Sequence, residues 1–346
     1  MFEQKAVAVV VPCYNEEGQI AKVLGTMPGF VDRIIVVDDA SSDATLEVVR
    51  QQAAAGDGNA RIAVVQHERN RGVGAAIVSG YKEAIRERMD VVAVMAGDGQ
   101  MDPAELHLVV GPVARGEADY AKGDRLFYED AWHHTPKVRY LGNALLSMLT
   151  KIASGYWHVA DSQTGYTAIS RDALEKLALD AIYPRYGYPN DMLVRLNVYE
   201  MRVADVPVKP VYGVGERSKM RLWKVMPVMS WLIFKRFCWR MWHRYVIHDF
   251  HPLVLFYLAG GLLGAIGFGL FARMVWILVQ TGRIPPINAL VWGFCTVSAL
   301  QFSLFAMWFD TEMNRDLNAT TSLRRPARTG NGPPPGGELD TDRHAT

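Results

Sequence analysis

Cysteine is scarce in this chain of 346 residues: only Cys13, Cys238 and Cys295 occur, and they stand far apart. That spacing excludes a disulfide framework and the paired ligands of a zinc site. It fits a reduced compartment in which the three are small apolar side chains. Net charge is scarce too. With 37 basic and 36 acidic residues the formal charge is +1, so there is no global reason to expect a nucleic acid partner and any charge signal has to be local. A charged leader with a cleavage site is also missing, because MFEQKAVAVVVP runs straight into an apolar, strand-like segment. The expectation is a protein without a signal peptide, its polar part cytoplasmic.

What the chain has in quantity is apolar residues, half of the total, enough for one α/β domain of ordinary size with further segments. The first part alternates β-branched runs with helical patterns. AVAVVVP at 6–12, RIIVVDD at 33–39, RIAVVQH at 61–67 and DVVAVMAGD at 90–98 predict strands. Helices are expected near 16–27, 43–54 and 73–87, and this alternation is that of a mostly parallel, helix-covered sheet. NEEG, DDASSD, NRGVG and GDGQMDP each follow a strand, at the carboxyl edge where open α/β sheets place ligands.

Beyond Pro252 two apolar runs, 253–279 and 287–309, are each long enough to cross a bilayer. The turn-like QTGRIPP between them predicts a hairpin. Lys235, Arg236, Arg240 and Arg244 precede it and Arg315, Arg324, Arg325 and Arg328 follow it, against Arg283 alone in the connection. This bias puts both termini on the cytoplasmic side of the inner membrane. Arg273 falls near the far end of its helix, where it snorkels to the outer interface. Gly260 with Gly264, and Gly261 with Ala265, suit close helix packing within the hairpin or between protomers, which leaves homo-oligomers open. Residues 221–250, dense in tryptophan and with Arg236, Arg240 and Arg244 four apart, read as an amphipathic helix lying under the headgroups. The tail, 312–346, reads as disordered.

PCYNEE at 12–17, VVDDASSD at 36–43 and GDGQMDP at 97–103 carry a resemblance to family 2 glycosyltransferases of the GT-A fold. More narrowly the chain resembles the polyprenyl-phosphate glycosyltransferases. NRGVGAA, KGDR, LGNALLSMLTKIASG, DSQTGYTAIS and ERSK extend the likeness over almost all of 1–220, the expected GT-A domain. Order and spacing make it specific where each motif alone is weak. The implied reaction is inverting transfer of a hexose from a nucleotide sugar, a UDP-hexose favoured over GDP-mannose, to a polyprenyl phosphate in the membrane.

In a site for such a donor, Asp38 and Asp39 accept hydrogen bonds from base and ribose, and Pro12, Tyr14, Asn15 and Glu17 form the adjoining wall. Helix capping is the other reading of DDASSD. Gly72 and Gly74 let the backbone approach the nucleotide. Charge on the leaving pyrophosphate calls for Mg2+ or Mn2+, with Asp98 and Gln100, and Asp102 beside them, as oxygen donors. The family's D-x-D-x-Q pattern is AGDGQ here, Ala96 replacing the first aspartate. An ionised lipid phosphate needs cations more than a base. Lys122, Arg125, Arg139, Arg217 and Lys219 are the candidates for that work, with Arg217 and Lys219 also catalytic. Asp161 matches an acidic position of the family's active site, and Asn190 and Asp191 are sugar-binding candidates, Asp191 falling where other members carry a base. A processive or protein-directed transferase is one rival, although the Q-x-x-R-W motif of processive members is missing. A non-catalytic nucleotide-binding scaffold, favoured only by Ala96, is the other.

Overall fold

The structure, a computed structural model, describes residues 1–55, 61–126, 137–209, 211 and 222–320. Its sheet comprises β1 (Val7–Cys13), β2 (Arg33–Asp38), β3 (Ile62–Gln66), β4 (Val91–Val94), β5 (Tyr120–Asp124), β6 (Thr167–Ser170) and β7 (Val203–Pro207), in the order β3-β2-β1-β4-β6-β5-β7. All neighbours run parallel except β6, which is antiparallel to both β4 and β5. The expected mostly parallel sheet is therefore present.

Seven consecutive residues of β1 are buried because helices cover both faces of the sheet. Val7, Val9 and Val11 pack toward α1 (Ile20–Gly25) and α4 (Leu106–Ala114), while Ala8 and Val10 pack toward α3 (Val73–Arg86) and α7 (Tyr188–Val198). Each buried Val contributes about 1.5–3 kcal/mol relative to an exposed one, which is why a continuous apolar run, and not an alternating one, specifies this strand. Helix α2 (Thr45–Ala55) follows β2, and α5 (Lys137–Ser154) and α6 (Arg171–Lys176) flank β6.

Helix α8 (Leu222–Trp242) lies against α5 and α7 through Met229, Leu232 and Ile233, which meet Leu146, Ala153 and Val194. Its other face exposes Val228, Trp231, Phe234 and Trp242, and α5 exposes Leu145 and Met148. The exposed face carries aromatic side chains, as an amphipathic helix requires, but two of the three regularly spaced arginines are not on it. Arg240 and Arg244 are buried, 0% and 6% exposed, and point into protein. Four-residue spacing fixes only that the arginines share a face; partners on other segments decided which one.

A π-helical turn, His243–His248, leads into α9 (Leu253–Thr281), and α10 (Pro286–Met313) returns antiparallel to it. Both helices are long and apolar enough to cross a membrane, with mean hydropathies of 2.1 and 1.6. Gly282 ends α9 in the left-handed region and donates its amide to the Leu278 carbonyl, a standard helix stop. Gly260 faces α10, where a Cβ would stand 2.7 Å from Ser303 Oγ, whereas Gly261 faces outward. The Gly260 face is thus spent within the hairpin. The tail expected to be disordered from 312 onward is ordered over its first residues: Asn318 bridges to Val203 and the Ala319 amide donates to the Val203 carbonyl, so the chain comes back to the sheet edge at β7. Residues 321–346 lie outside the described residues.

Candidate active site

The loops after β1 and β2 are laced together. Asn15, in the left-handed region, accepts from the Ser42 amide, and its own amide donates to Ser41 Oγ; Glu17 accepts from the Ala44 amide. Asn15 and Glu17 therefore build the wall by tying two loops, while Tyr14 stays 41% exposed beside them, open to a ligand. Pro12 pairs in register with Val37 and its carbonyl accepts from the Gly97 amide. Burial, with Asp38 next to it, pushes the Cys13 thiol up to about 12. A thiol held that high is no nucleophile.

Asp38 and Asp39 are both buried. Asp38 accepts from the Ser41 amide. Asp39 makes three bonds: Oδ1 takes His67 Nδ1 at 2.7 Å and the Arg71 amide at 2.8 Å, and Oδ2 takes the Gly72 amide at 2.7 Å. With Nδ1 donating, His67 Nε2 is left to accept from the Ser79 hydroxyl. His67, which the sequence did not single out, holds Asp39 in place. The two glycines correct an expectation. A Cβ on Gly72 would stand 2.6 Å from the Pro184 carbonyl and one on Gly74 would stand 2.3 Å from the Tyr183 carbonyl. The close approach they permit is thus to the 183–184 backbone, and it locks the loop onto α7.

At the end of β4, Asp98 is half-buried, its Oδ1 accepting from the Gln100 amide. Asp102 caps the next helical turn through the Ala104 amide. Among the described residues no three acidic, histidine or cysteine side chains gather as a metal cage. One accessible carboxylate completed by substrate phosphate oxygens is nonetheless how Mg2+ is commonly held, and Asp98 fits that demand. Val211 donates its amide to the Gln100 carbonyl, and Arg217 and Lys219 follow it in sequence. Those two residues lie outside the described residues, as does the Arg139 side chain.

Asp161, 3% exposed, is gripped by Arg125 through Nε to Oδ2 at 2.7 Å and Nη2 to Oδ1 at 3.2 Å, and accepts the Gln163 amide as well. Burial alone would raise its carboxyl; the Arg125 guanidinium and the Lys122 charge pull it below the usual carboxylate range. Lys122 is a correction. It is completely buried and donates to the Thr164 carbonyl at 2.5 Å, which braces the DSQTG loop from beneath and leaves no access for an acceptor phosphate. Burial pushes it down to about 8 against the pull of Asp161 and Asp205. Asp191 is likewise enclosed, paired with Arg195 and Arg236 and accepting the Tyr183 amide. It anchors α7 and no sugar reaches it. Asn190 Oδ1 accepts from Thr150 and from Gln163 Nε2, so it acts on the site by orienting Gln163.

Asp205, also missed in the sequence, accepts the Ala160 amide next to Asp161. Burial pushes its carboxyl up to about 7, the Ala160 bond opposing and Asp124 adding. Because the folded value lies above the unfolded one, the native state holds the extra proton between about pH 4 and 7. Stability should fall as pH rises through that window and level off above it. Asp205→Asn should flatten this slope, read from thermal midpoints of the full chain in detergent at pH 5 and 8; equal slopes in the two proteins would refute it.

Residues 8–178 match the family Glycosyl transferase family 2. Similar proteins include the UDP-N-acetylglucosamine–dolichyl-phosphate N-acetylglucosaminyltransferase of Methanococcus voltae, 29% identical, covering 60% of this chain and 86% of that protein. The undecaprenyl-phosphate mannosyltransferase of Micrococcus luteus is 29% identical over 62% of this chain and 87% of its own length. The chain belongs to glycosyltransferase family 2. Its fold is the GT-A fold. Glucosyl-3-phosphoglycerate synthase from Mycobacterium tuberculosis, solved with Mn2+, UDP and phosphoglyceric acid, superposes with a TM-score of 0.50 at 21% identity, over 68% of this chain and 78% of that one. In this transferase the candidate site is the row of loops after β1, β2 and β4, with the Asp161–Arg125 pair as a further candidate feature.

Proposed function

We propose that the transferase moves a hexose from a nucleoside diphosphate sugar to the phosphate of a polyprenyl lipid, with inversion at the anomeric carbon. The observation that carries this reading is one of connection. The chain runs from Val211, bonded to Gln100 in the GDGQ motif, to α8 at Leu222, whose exposed aromatic face leads into two apolar helices. Arg217 and Lys219 fall on that connection. A site for a nucleotide sugar and a surface for a lipid are thereby joined by one short, basic segment.

In this reading the Trp231 and Phe234 face of α8 rests at headgroup level, beside Leu145 and Met148 of α5, and the catalytic domain faces the cytoplasm. Two anions must meet. Arg125, Arg217 and Lys219 offset their repulsion, and the ionised lipid phosphate then attacks without a strong base. The bond from the anomeric carbon to the diphosphate breaks with its electrons on the leaving oxygen. Mg2+ or Mn2+, bound by Asp98 and by oxygens of the donor, would neutralise that leaving group. Asp161 holds the Arg125 fork, and positioning with charge stabilisation supplies the catalysis. A UDP-hexose is the proposed donor.

The test is the pair Arg217→Ala and Lys219→Ala. Each removes a charge-assisted contact of about 1.5–3 kcal/mol, so lipid-dependent turnover should fall by about one to two powers of ten while nucleotide affinity changes much less. Equal losses in both quantities would move these residues to the donor pyrophosphate, and unchanged turnover in both variants would remove them from the site.

A further inference from the structure

The hairpin is tied to the catalytic domain by a buried polar junction. Arg240 of α8 and Asp310, near the end of α10, are each 0% exposed and meet through two parallel bonds, Nη1 to Oδ1 at 3.0 Å and Nη2 to Oδ2 at 2.9 Å. Neither is bonded to the other alone. Arg240 Nη2 also donates to the Ile152 carbonyl at the end of α5, and Nη1 to Asn197 Oδ1 of α7. Tyr245 OH and Asn314 Nδ2 both donate to Asp310 Oδ1, and Asn197 Nδ2 donates to Asn314 Oδ1. Arg244 closes the network by donating to Asn197 and Asn314. Room for it is made by Gly155, in the left-handed region, where a Cβ would stand 2.2 Å from Arg240 Nη1.

A pair so enclosed is an unfavourable way to gain stability, because desolvation of both charges offsets their attraction and apolar replacements of equal volume commonly do as well. What the bonds do provide is direction. Two parallel contacts and four flanking partners admit one relative placement of α5, α7, α8 and α10, where an apolar seam would admit several. The α5 and α7 partners belong to the domain that carries Asp161 and Gln163; the α10 partner belongs to the hairpin.

We infer that the Arg240–Asp310 junction sets the height and tilt of the active site over the bilayer, so that Arg240, Asp310, Asn197 and Asn314 are positioning residues for a membrane-embedded acceptor. This rests on the reading that the acceptor is a lipid phosphate. A site displaced by about an ångström loses about a hundredfold in rate, and the junction is the one set of buried ionic contacts between hairpin and catalytic domain among the described residues.

The experiment uses the full chain in phosphatidylethanolamine and phosphatidylglycerol vesicles. Spin labels are placed at Glu47→Cys on α2 and Arg283→Cys in the hairpin turn, both exposed, with Cys238→Ser to remove the exposed native thiol. The parent should give one narrow distance distribution. Asp310→Asn, which leaves Arg240 unpaired, and the apolar pair Arg240→Met with Asp310→Leu, which removes both charges of the pair so that neither is left without its partner, should both broaden it. In the same vesicles both variants should lose about one to two powers of ten in turnover of bilayer-embedded undecaprenyl phosphate, yet keep their turnover of a short, water-soluble isoprenyl phosphate. Unchanged distance distributions in both variants would overturn the inference, as would equal losses on the two acceptors, which a merely structural pair produces. A parent that turns over neither acceptor defeats the functional reading, and the distance distributions then still decide the junction.

Discussion

Asp98→Asn is expected to lower turnover by about two to three powers of ten, the effect of withdrawing a preorganised charge from a developing diphosphate. The exchange is nearly isosteric, and the half-buried side chain keeps its bond from the Gln100 amide. The thermal midpoint and the membrane fraction should therefore not move. Ala96 makes the loss larger than in a site with two carboxylates, because no second acid stands on this strand end to take over. Release of nucleoside diphosphate at saturating donor measures it. Near-normal activity of the parent in a chelator would show that Asp98 holds no metal ion and would sink the prediction.

Asp161→Asn is expected to cost about a hundredfold in turnover with a smaller change in donor affinity. The variant retains an acceptor for the Gln163 amide but loses the charge that aligns both Arg125 nitrogens. Arg125→Lys should not behave as the parent, since one ammonium cannot reproduce a fork of two parallel bonds. Loss of the Arg125 pair itself should cost about 1 kcal/mol or less, because the Arg125 side chain is 38% exposed and water screens the pair. Measuring kcat and donor affinity separately on both variants checks this. A fall in donor affinity equal to the fall in kcat would place Asp161 on the nucleotide and not on the reacting groups.

Legibility followed the physics of each element. Strands β1, β2 and β4 could be read because protein covers both of their faces, which writes the strand into the sequence as an unbroken apolar run, while β3, at the sheet edge and only partly buried, was legible from its β-branched residues. The strand at Tyr120–Asp124 could not, since its YAKGD carries Lys122 inward and is recognisable only as a motif. Site loops were legible as strand ends with glycine and acidic residues, but their internal economy was not. Asp39, expected to face the donor, also holds His67 and two amides, partners that no spacing announces. The arginines of α8 show the same limit. The partner of Arg240, Asp310, is 70 residues downstream, one position beyond the apolar run expected to end at 309, and a polar residue there reads as the start of a tail. Sequence pattern reports which residues share a face. It does not report what a distant segment brings to that face.

The reaction itself is tested most directly by giving membranes that contain the full chain a panel of nucleotide sugars, one at a time, with undecaprenyl phosphate. The account predicts nucleoside diphosphate release with one donor, a UDP-hexose, dependent on the lipid phosphate and on a divalent ion, together with a lipid-phosphate hexose of inverted anomeric configuration. Release that is indifferent to the lipid, or a product of retained configuration, would contradict it.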